Sequence, residues 1–295
     1  MSKLKYELMN LTRRNRDGSF ATQANRRDML VLFVTQLKEV GYKVRELGAA
    51  DLKGRHVNAL VKRWIAEGLS AGTIKNRMAV LRWWAEKIGA PQIVKENSVY
   101  GIENREFVTN KSKAVTLKDL DLSQFDSFIA QSLKLQDAFG LRREEAIKFQ
   151  ASYALNGLSP NKAQEIRIKG SWAKGGRDRV IPITSDIQRQ ELMNTLRLVG
   201  TNALIPTEKS YKTHLALFMA QTAKAGIGRT HGLRHGYAQR RYFELTGFEC
   251  PAVAGTRKLS PDERAKDLSA RLTISQELGH NRINITAVYI GSWSR

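Results

Sequence analysis

A tyrosine late in the chain, two arginines and two histidines have the types and order that chemistry on a phosphate requires. Tyr289 follows His280 by nine residues, His231 and Arg234 stand upstream in the run His-Gly-Leu-Arg-His, and Arg142 ends an earlier Gly-Leu-Arg. A phenol has a pKa of about 10, so at neutral pH it is a weak nucleophile unless its anion is stabilised. Guanidinium groups bind phosphate oxygens in a bidentate way and keep their charge. The set predicts attack of a phenolic oxygen on a DNA phosphate.

A lysine on a glycine-rich turn adds a proton donor to this set. Lys174 lies in residues 173–178, Ala-Lys-Gly-Gly-Arg-Asp, which predict a hairpin turn between two strands. A lysine there can reach an active site and protonate a leaving oxygen, which arginine does poorly. His231 precedes Arg234 by three residues, so a helix would place both side chains on one face. Each motif is weak alone, and the ordered combination carries the prediction.

The chain is basic along its whole length. Its 295 residues include 49 Lys and Arg against 28 Asp and Glu, a formal net charge of +21. Residues 1–100 carry 19 basic against 9 acidic side chains (+10), and residues 101–295 carry 30 against 19 (+11). A positive field on both parts favours a polyanion, so we predict DNA as the partner. A membrane surface is the weaker alternative, because neither a lipidation signal nor an amphipathic anchor stands out.

Cysteine content and hydropathy exclude several classes of protein. The single cysteine, Cys250, excludes a disulfide framework and a CxxC metal site, and we interpret it as a small, partly buried apolar residue. The sequence contains no apolar run of transmembrane length, and its first residues lack the hydrophobic stretch of a signal peptide. We therefore expect a soluble, cytoplasmic protein.

Helical periodicity dominates residues 22–89. Apolar residues recur on one face from Met29 to Val40 and again over 51–67, and Ser70 is a plausible N-cap for a third helix. We expect at least two of the three tryptophans in this region to pack in a core. A basic face lies on the third helix, for which we favour DNA-backbone contact over a solvated surface. The three tryptophans are Trp64, Trp83 and Trp84, and the basic face consists of Lys75, Arg77 and Arg82.

The remaining chain predicts a basic linker and a second domain. Residues 101–116 break the periodicity, and Lys111 and Lys113 could lie along a phosphate backbone. Helical sequence over 117–150 is followed by a polar turn at 156–160, expected between two helices. Strands are predicted at 165–170 and 179–183, and helices continue to the end. We predict a mainly α fold with a small antiparallel β-sheet: a helical DNA-binding domain (1–100), the linker (101–116) and a catalytic domain (117–295).

The chain resembles a tyrosine recombinase of the phage integrase family in four motifs that occur in this order. They are Gly-Leu-Arg-x-x-Glu, the glycine-turn lysine, His-x-Leu-Arg-His, and Leu-Gly-His with a tyrosine nine residues after the histidine. Residues 22–89 resemble its core-binding domain through helix pattern and charge alone, whereas 117–295 resemble its catalytic domain through specific motifs. The resemblance implies a clamp of two domains around DNA. It also implies that Arg142 and Arg234 bind the phosphate and that Glu145 supports the site from behind.

By the same resemblance Tyr289 would form a 3′-phosphotyrosyl bond. His231 and His280 would assist proton transfer and phosphate binding, and Lys174 would protonate the 5′ leaving oxygen. The reaction needs no metal and no nucleotide cofactor, because the phosphotyrosyl ester keeps the bond energy for rejoining. Relatives act on recombination sites in double-stranded DNA as a homodimer per site and a homotetramer in synapsis, some with accessory DNA-bending proteins.

The sequence departs from the family pattern at several places. Phe139 stands where a small polar residue is common, a polar insertion occupies residues 251–269, and the six residues after Tyr289 are too few for a docking helix, leaving Trp293 as an anchor. We expect a phage- or bacterium-encoded integrase of a mobile element. The alternatives are a non-catalytic DNA-binding relative and a telomere resolvase or type IB topoisomerase-like enzyme.

Overall fold

The computed structural model describes residues 1–118, 120–173, 175–280 and 282–293. Two compact units divide the chain, Met1–Glu106 and Phe107–Arg295, and we call them the first and second unit. Residues 107–116, which the sequence analysis counted as linker, therefore belong to the second unit. None of the helices in the described ranges has the length and apolar composition that crossing a bilayer requires.

Helices build the first unit around a tryptophan-rich core. The helices are α1 Lys3–Arg14, α2 Phe20–Glu39, α3 Gly54–Ala66 and α4 Ala71–Lys87. Trp64, Trp83 and Trp84 are all buried, which confirms the predicted core packing. Each indole N–H also has a partner, as buried indoles require: Gln36 Oε1 at 2.9 Å for Trp64, the Ala49 carbonyl at 2.8 Å for Trp84, and the Asp17 carboxylate for Trp83.

The start of this unit shows one element that the sequence analysis missed. Helix α1 begins after Ser2, whose hydroxyl accepts the backbone N–H of Lys5, and it buries Leu4 and Leu8. Leu4, Leu8 and Leu11 recur at helical spacing, but this short helix was not predicted. The predicted cap of α4 is present, because the Ser70 hydroxyl accepts the N–H of Thr73.

The second unit is mainly helical with a two-stranded antiparallel sheet. Its helices are α5 Ser127–Phe139, α6 Arg143–Ile147, α7 Ala151–Ala154, α8 Asp186–Val199, α9 Tyr211–Lys224, α10 His231–Thr246, α11 Pro251–Ala254, α12 Pro261–Glu277 and α13 Ile283–Ile290. Strand β1 (Glu165–Ile168) pairs with β2 (Arg179–Pro182) in the register Glu165 with Pro182 and Ile168 with Arg179. The predicted fold class and hairpin are confirmed.

Two features differ from those predicted from the sequence, and the structure also shows how the polar insertion folds. Helix α5 begins only at Ser127, because the Asp126 carboxylate caps it by accepting the N–H of Phe128. Residues 117–118 and 120–126 form turns and a short 3-10 helix instead of the predicted helix. The turn at Asn156 separates α7 from β1 and not two helices. The polar insertion at 251–269 folds as α11, an irregular stretch and the first half of α12.

Candidate active site

Tyr289 stands between two histidines in the second unit. It is the penultimate residue of α13 and is only 5% exposed. Its hydroxyl oxygen lies 3.2 Å from Nε2 of His231 and 3.3 Å from Nε2 of His280. The single phenolic hydrogen can be donated to only one of these nitrogens, so the other imidazole must donate to the oxygen. The phenol is therefore placed for direct proton transfer to an imidazole.

A left-handed turn at the end of α12 brings His280 to this place. The helix ends at Glu277, and Gly279 adopts φ +66°. The N–H of Gly279 donates to the Gln276 carbonyl, and that of His280 donates to the Ser275 carbonyl at 2.9 Å, which closes the helix end. A Cβ at Gly279 would also lie 2.9 Å from Cδ of Arg179. Both the backbone angle and the close approach require glycine at this position.

Arg234 is a fully buried guanidinium beside the phenol. It lies on α10 and is 0% exposed, with Nη1 and Nη2 donating to the carbonyls of Gly140 and Leu278. Its Nη2 is also 3.3 Å from Nε2 of His280, whereas its Nε has no hydrogen-bond partner within the described residues. Burial lowers the pKa of Arg234 to about 10, which still leaves the group charged at neutral pH. A buried, charged N–H without an acceptor in the described residues thus lies beside the phenol.

Arg142 approaches the same point from another element. Helix α5 ends at Phe139 and is capped by Gly140 (φ +61°), where a Cβ would lie 2.5 Å from Cδ1 of Tyr237. The chain then turns, and Arg142 becomes the N-cap of α6, with Nη1 2.7 Å from Oε1 of Glu145 and Nη2 3.3 Å from the Leu278 carbonyl. Both guanidinium groups therefore contact the carbonyl oxygen of Leu278, from positions 92 residues apart in the sequence.

Glu145 balances these charges from a fully buried position. It accepts hydrogen bonds from Arg142 and, at 2.9 and 2.7 Å, from Nη1 and Nη2 of Arg179. Burial raises the pKa of Glu145, but the hydrogen bond and charge of Arg179 and the charges of Arg234 and Arg142 outweigh it and lower the pKa to about 2. Three arginines (+3) and one glutamate (−1) leave a net charge of +2 around the phenol.

The site histidines are neutral at physiological pH. Burial, followed by the charges of Arg234 and Arg142, lowers the pKa of His231, and the same causes with Arg179 lower that of His280 to about 3. A neutral imidazole has a free lone pair, so each ring can accept a proton when the charge around it changes.

Two residues that complete the site, Arg179 and His235, were not predicted from the sequence. Arg179, the first residue of β2, also donates from Nε to the Glu277 carbonyl at 2.8 Å. His235 lies one turn after His231, its ring 4.6 Å from that of Tyr289, and burial lowers its pKa to about 4. The second histidine of the His-x-Leu-Arg-His run was the available signal for His235. Only the strand register identifies Arg179.

The structure brings most of the predicted site residues together around the phenol. These residues are Arg142, Glu145, His231, Arg234, His280 and Tyr289. Lys174 lies outside the described residues. Within the described ranges, the structure contains no group of three or more His, Cys, Asp or Glu side chains that could hold a metal ion.

The residues predicted to contact DNA from α4 also make contacts inside the first unit. Lys75 donates to Asn104 Oδ1 at 2.9 Å, and Arg82 donates to the Lys95 carbonyl and to Asn97. Arg77 stacks over the Trp64 ring at 5.2 Å, and its Nη1 is buried without a partner in the described structure. Lys111 and Lys113 are exposed. Contact of these five residues with DNA stays a prediction.

Comparison with known proteins places the chain in a family. A family model described as "Phage integrase, N-terminal" matches residues 1–94, and one described as "Integrase" matches residues 104–240. No curated protein matches. The chain belongs to the phage integrase family of tyrosine recombinases, enzymes that break and rejoin DNA at specific sites. The second match includes Arg142, His231 and Arg234 but ends before His280 and Tyr289, whose place in the site comes from the geometry above.

Solved structures share the fold. The Tn1549 transposon integrase in complex with circular intermediate DNA is 15% identical over 98% of this chain and 95% of that chain, with a TM-score of 0.55. A lambda integrase dimer bound to a COC′ core site is 15% identical over 99% and 96%, with a TM-score of 0.59. The XerH recombinase bound to its difH substrate is 15% identical over 97% and 80%, with a TM-score of 0.54.

Proposed function

We propose that Tyr289 is the nucleophile of this recombinase and that Arg142, Arg234, His231 and His280 are its catalytic partners. The observation that carries the proposal is the phenol hydroxyl 3.2 and 3.3 Å from two neutral imidazoles, beside a buried guanidinium with an unpartnered N–H. The phenol oxygen attacks the phosphorus, the bond to the 5′ oxygen breaks, and a 3′-phosphotyrosyl ester forms. Lys174 supplies the proton to the 5′ oxygen.

The charge of the site fits this reaction. A phosphodiester carries one negative charge, and the five-coordinate transition state formed with a phenolate carries two. Three arginines and Glu145 give a net +2, which matches the transition state better than the ground state. Glu145 holds Arg142 and Arg179 in place through ion pairs of 2.7 Å, so the positive charge is oriented before the substrate binds.

The proton of the phenol has an acceptor within reach. Binding of a phosphate next to Arg234 offsets the positive charges that now lower the pKa values of His231 and His280. An imidazole that becomes more basic when the substrate arrives accepts the phenolic proton at the time when the nucleophile is needed. In the rejoining step the same imidazole returns the proton to Tyr289.

We further propose that the substrates are the DNA ends of a mobile element, integrated or excised by a dimer on each site and a tetramer in synapsis. The likeness to an integrase of a transposon and to an integrase dimer on its core site supports this, as does the net charge of +21. Metal and nucleotide cofactors have no part in the proposed reaction, because the ester keeps the energy for rejoining.

Covalent trapping tests the nucleophile. Wild-type protein is incubated with nicked duplexes from the DNA flanking its gene, with EDTA present, and adducts are resolved on a denaturing gel. Tyr289→Phe should bind the duplexes within about twofold of wild type and form no adduct, because only a hydroxyl is lost. Tyr153→Phe, which removes a hydroxyl from a partly buried tyrosine elsewhere in the second unit, should form the adduct normally.

The products separate the related activities. Recombinant joints between two specific sites support the proposal, whereas relaxation of supercoiled plasmid without a specific site indicates a topoisomerase and hairpin-ended products indicate a resolvase. An adduct formed by Tyr289→Phe would mean that another residue is the nucleophile.

A further inference from the structure

Residues 107–116, which we call the connector, contact the chain just after Tyr289 and two positions on α10. Asn110 forms a pair of hydrogen bonds with the backbone of Ser292: its Nδ2 donates to the Ser292 carbonyl and the Ser292 N–H donates to its Oδ1, both at 2.8 Å. Asn110 holds φ +47°, an unusual angle for a residue other than glycine. Gly291 (φ +83°) allows the approach, because a Cβ there would lie 2.8 Å from the Asn110 Oδ1.

A second contact reaches the backbone of Tyr289 itself. The hydroxyl of Ser112 donates to Oε1 of Gln239 at 3.0 Å, which turns the amide of Gln239 so that its Nε2 donates to the Tyr289 carbonyl at 3.1 Å. Gln239 is only 7% exposed. A buried amide can satisfy both of its ends in this way only while the Ser112 hydroxyl is present.

A third contact lies beside His231. The N–H of Val115 donates to the carbonyl of Gly232 at 3.1 Å. The two segments are so close that a Cβ at Gly232 would lie 2.4 Å from Cγ2 of Val115 and 2.9 Å from the Lys113 carbonyl. The connector therefore touches Gly232, the residue after His231, and the backbone of Ser292, the residue after Gly291, and it reaches the carbonyl of Tyr289 through Gln239.

We propose that Asn110 and Ser112 are positioning residues that hold the Tyr289 hydroxyl between its histidines; the inference rests on the proposed function of Tyr289. Helix α13 spans only Ile283–Ile290. Isolated helices of fewer than about 12 residues are marginal in water, so contacts from outside must hold it. Displacement of a reacting group by about 1 Å can lower a rate on the order of a hundredfold. The connector fixes the C-terminal end of this helix, one turn or less from the nucleophile.

Asn110→Gly is the sharpest test, because glycine keeps the positive φ and removes both side-chain hydrogen bonds. Asn156→Gly is its matched control: Asn156 is also a non-glycine residue with positive φ (51°), in an exposed turn away from Tyr289. With saturating nicked duplex, single-turnover adduct formation by Asn110→Gly should fall about tenfold or more, with DNA affinity within about twofold of wild type. Ser112→Ala should act in the same direction, and Asn156→Gly should match wild type.

Hydrogen exchange measures positioning without DNA. Amides of residues 283–293 should exchange about tenfold faster in Asn110→Gly than in wild type, while those of α5 and α8 keep their rates. Asn110→Asp keeps an acceptor for the Ser292 N–H and should recover part of the cleavage rate.

Wild-type cleavage rates in Asn110→Gly and Ser112→Ala, together with wild-type exchange in Asn110→Gly, would overturn the inference. Faster exchange spread over the whole second unit would overturn it as well. A wild-type protein that forms no adduct with any duplex contradicts the proposed function of Tyr289 instead. In that case the exchange of residues 283–293 alone decides whether the connector holds α13.

Discussion

Replacing Glu145 by glutamine tests how the positive site is held together. Glu145 is fully buried, and its two oxygens accept hydrogen bonds from Arg142 and Arg179 between 2.7 and 2.9 Å. Glutamine has nearly the same size, but it is neutral and turns one acceptor oxygen into an N–H₂ donor. That donor would face a guanidinium, so the substitution removes a charge and an acceptor without opening a cavity.

The expected loss of stability follows from the pKa. Glu145 titrates near 2 in the folded protein against 4.5 ordinarily, a difference of about 2.5 units or roughly 3 kcal/mol at neutral pH. Removal of one partner from a buried ion pair costs about 3–5 kcal/mol, which agrees. For a unit the size of residues 107–295, this corresponds to a fall in melting temperature of roughly 10 °C. The folded pKa is lowered, so this stabilisation exists above pH 4.5 and is lost as the pH falls towards 2.

Glu263→Gln is the matched control. Glu263 also titrates near 2, through Arg257 and the backbone of Ser260, but it lies at the surface, where solvent screens the pair. Thermal melts at pH 7 should show the large fall for Glu145→Gln and almost none for Glu263→Gln. A fall of less than about 3 °C for Glu145→Gln, or equal falls for both variants, would refute the argument that burial decides the contribution of the pair.

Two further predictions concern the same unit. Gly140→Ala should lower the free energy of unfolding by more than about 2 kcal/mol in denaturant titrations, because its Cβ would lie 2.5 Å from Cδ1 of Tyr237. Gly157→Ala is the control. Gly157 also has a positive φ (+76°), but no atom lies within 4 Å of its Cβ, so this substitution should cost only about 1 kcal/mol of backbone strain. Stability should also fall between pH 7 and 5, because burial lowers the folded pKa values of His280 and His235 to about 3 and about 4. The unfolded chain therefore binds more protons than the folded protein below pH 6.5, and each histidine lowers the free energy of unfolding by roughly 2 kcal/mol at pH 5. Melting temperatures that do not change between pH 7 and 5 would contradict the burial of these two histidines.

The parts of the molecule that could be predicted are those whose signal is local. The β-hairpin was predicted because alternation and a glycine turn lie within 20 residues, and the cap at Ser70 because its partner is three residues away. Helix α1 was missed although its signal is local too, because Leu4, Leu8 and Leu11 lie on one helical face. The start of α5 was misplaced because a capping aspartate, Asp126, looks the same in sequence as a solvated one until its hydrogen bonds are known.

For the site, the side chains could be predicted from the sequence, but the backbone contacts that assemble them could not. Arginine, histidine and tyrosine can be recognised in a sequence because their side chains carry the chemistry. What assembles them here is the backbone at the end of α12: the carbonyl of Glu277 accepts from Arg179, and that of Leu278 accepts from Arg142 and Arg234. Every residue has a carbonyl, so no residue type marks this role.

The glycine after Leu278 gives the only sequence trace of that assembly. The left-handed turn at Gly279 leaves the Glu277 and Leu278 carbonyls facing the three arginines and directs His280 towards Tyr289. One helix end thus provides the acceptors that orient the positive charges and the imidazole that contacts the Tyr289 hydroxyl. The Leu-Gly-His run is therefore informative for a structural reason. The leucine contributes its backbone, the glycine its conformation, and only the histidine contributes a side chain to the site.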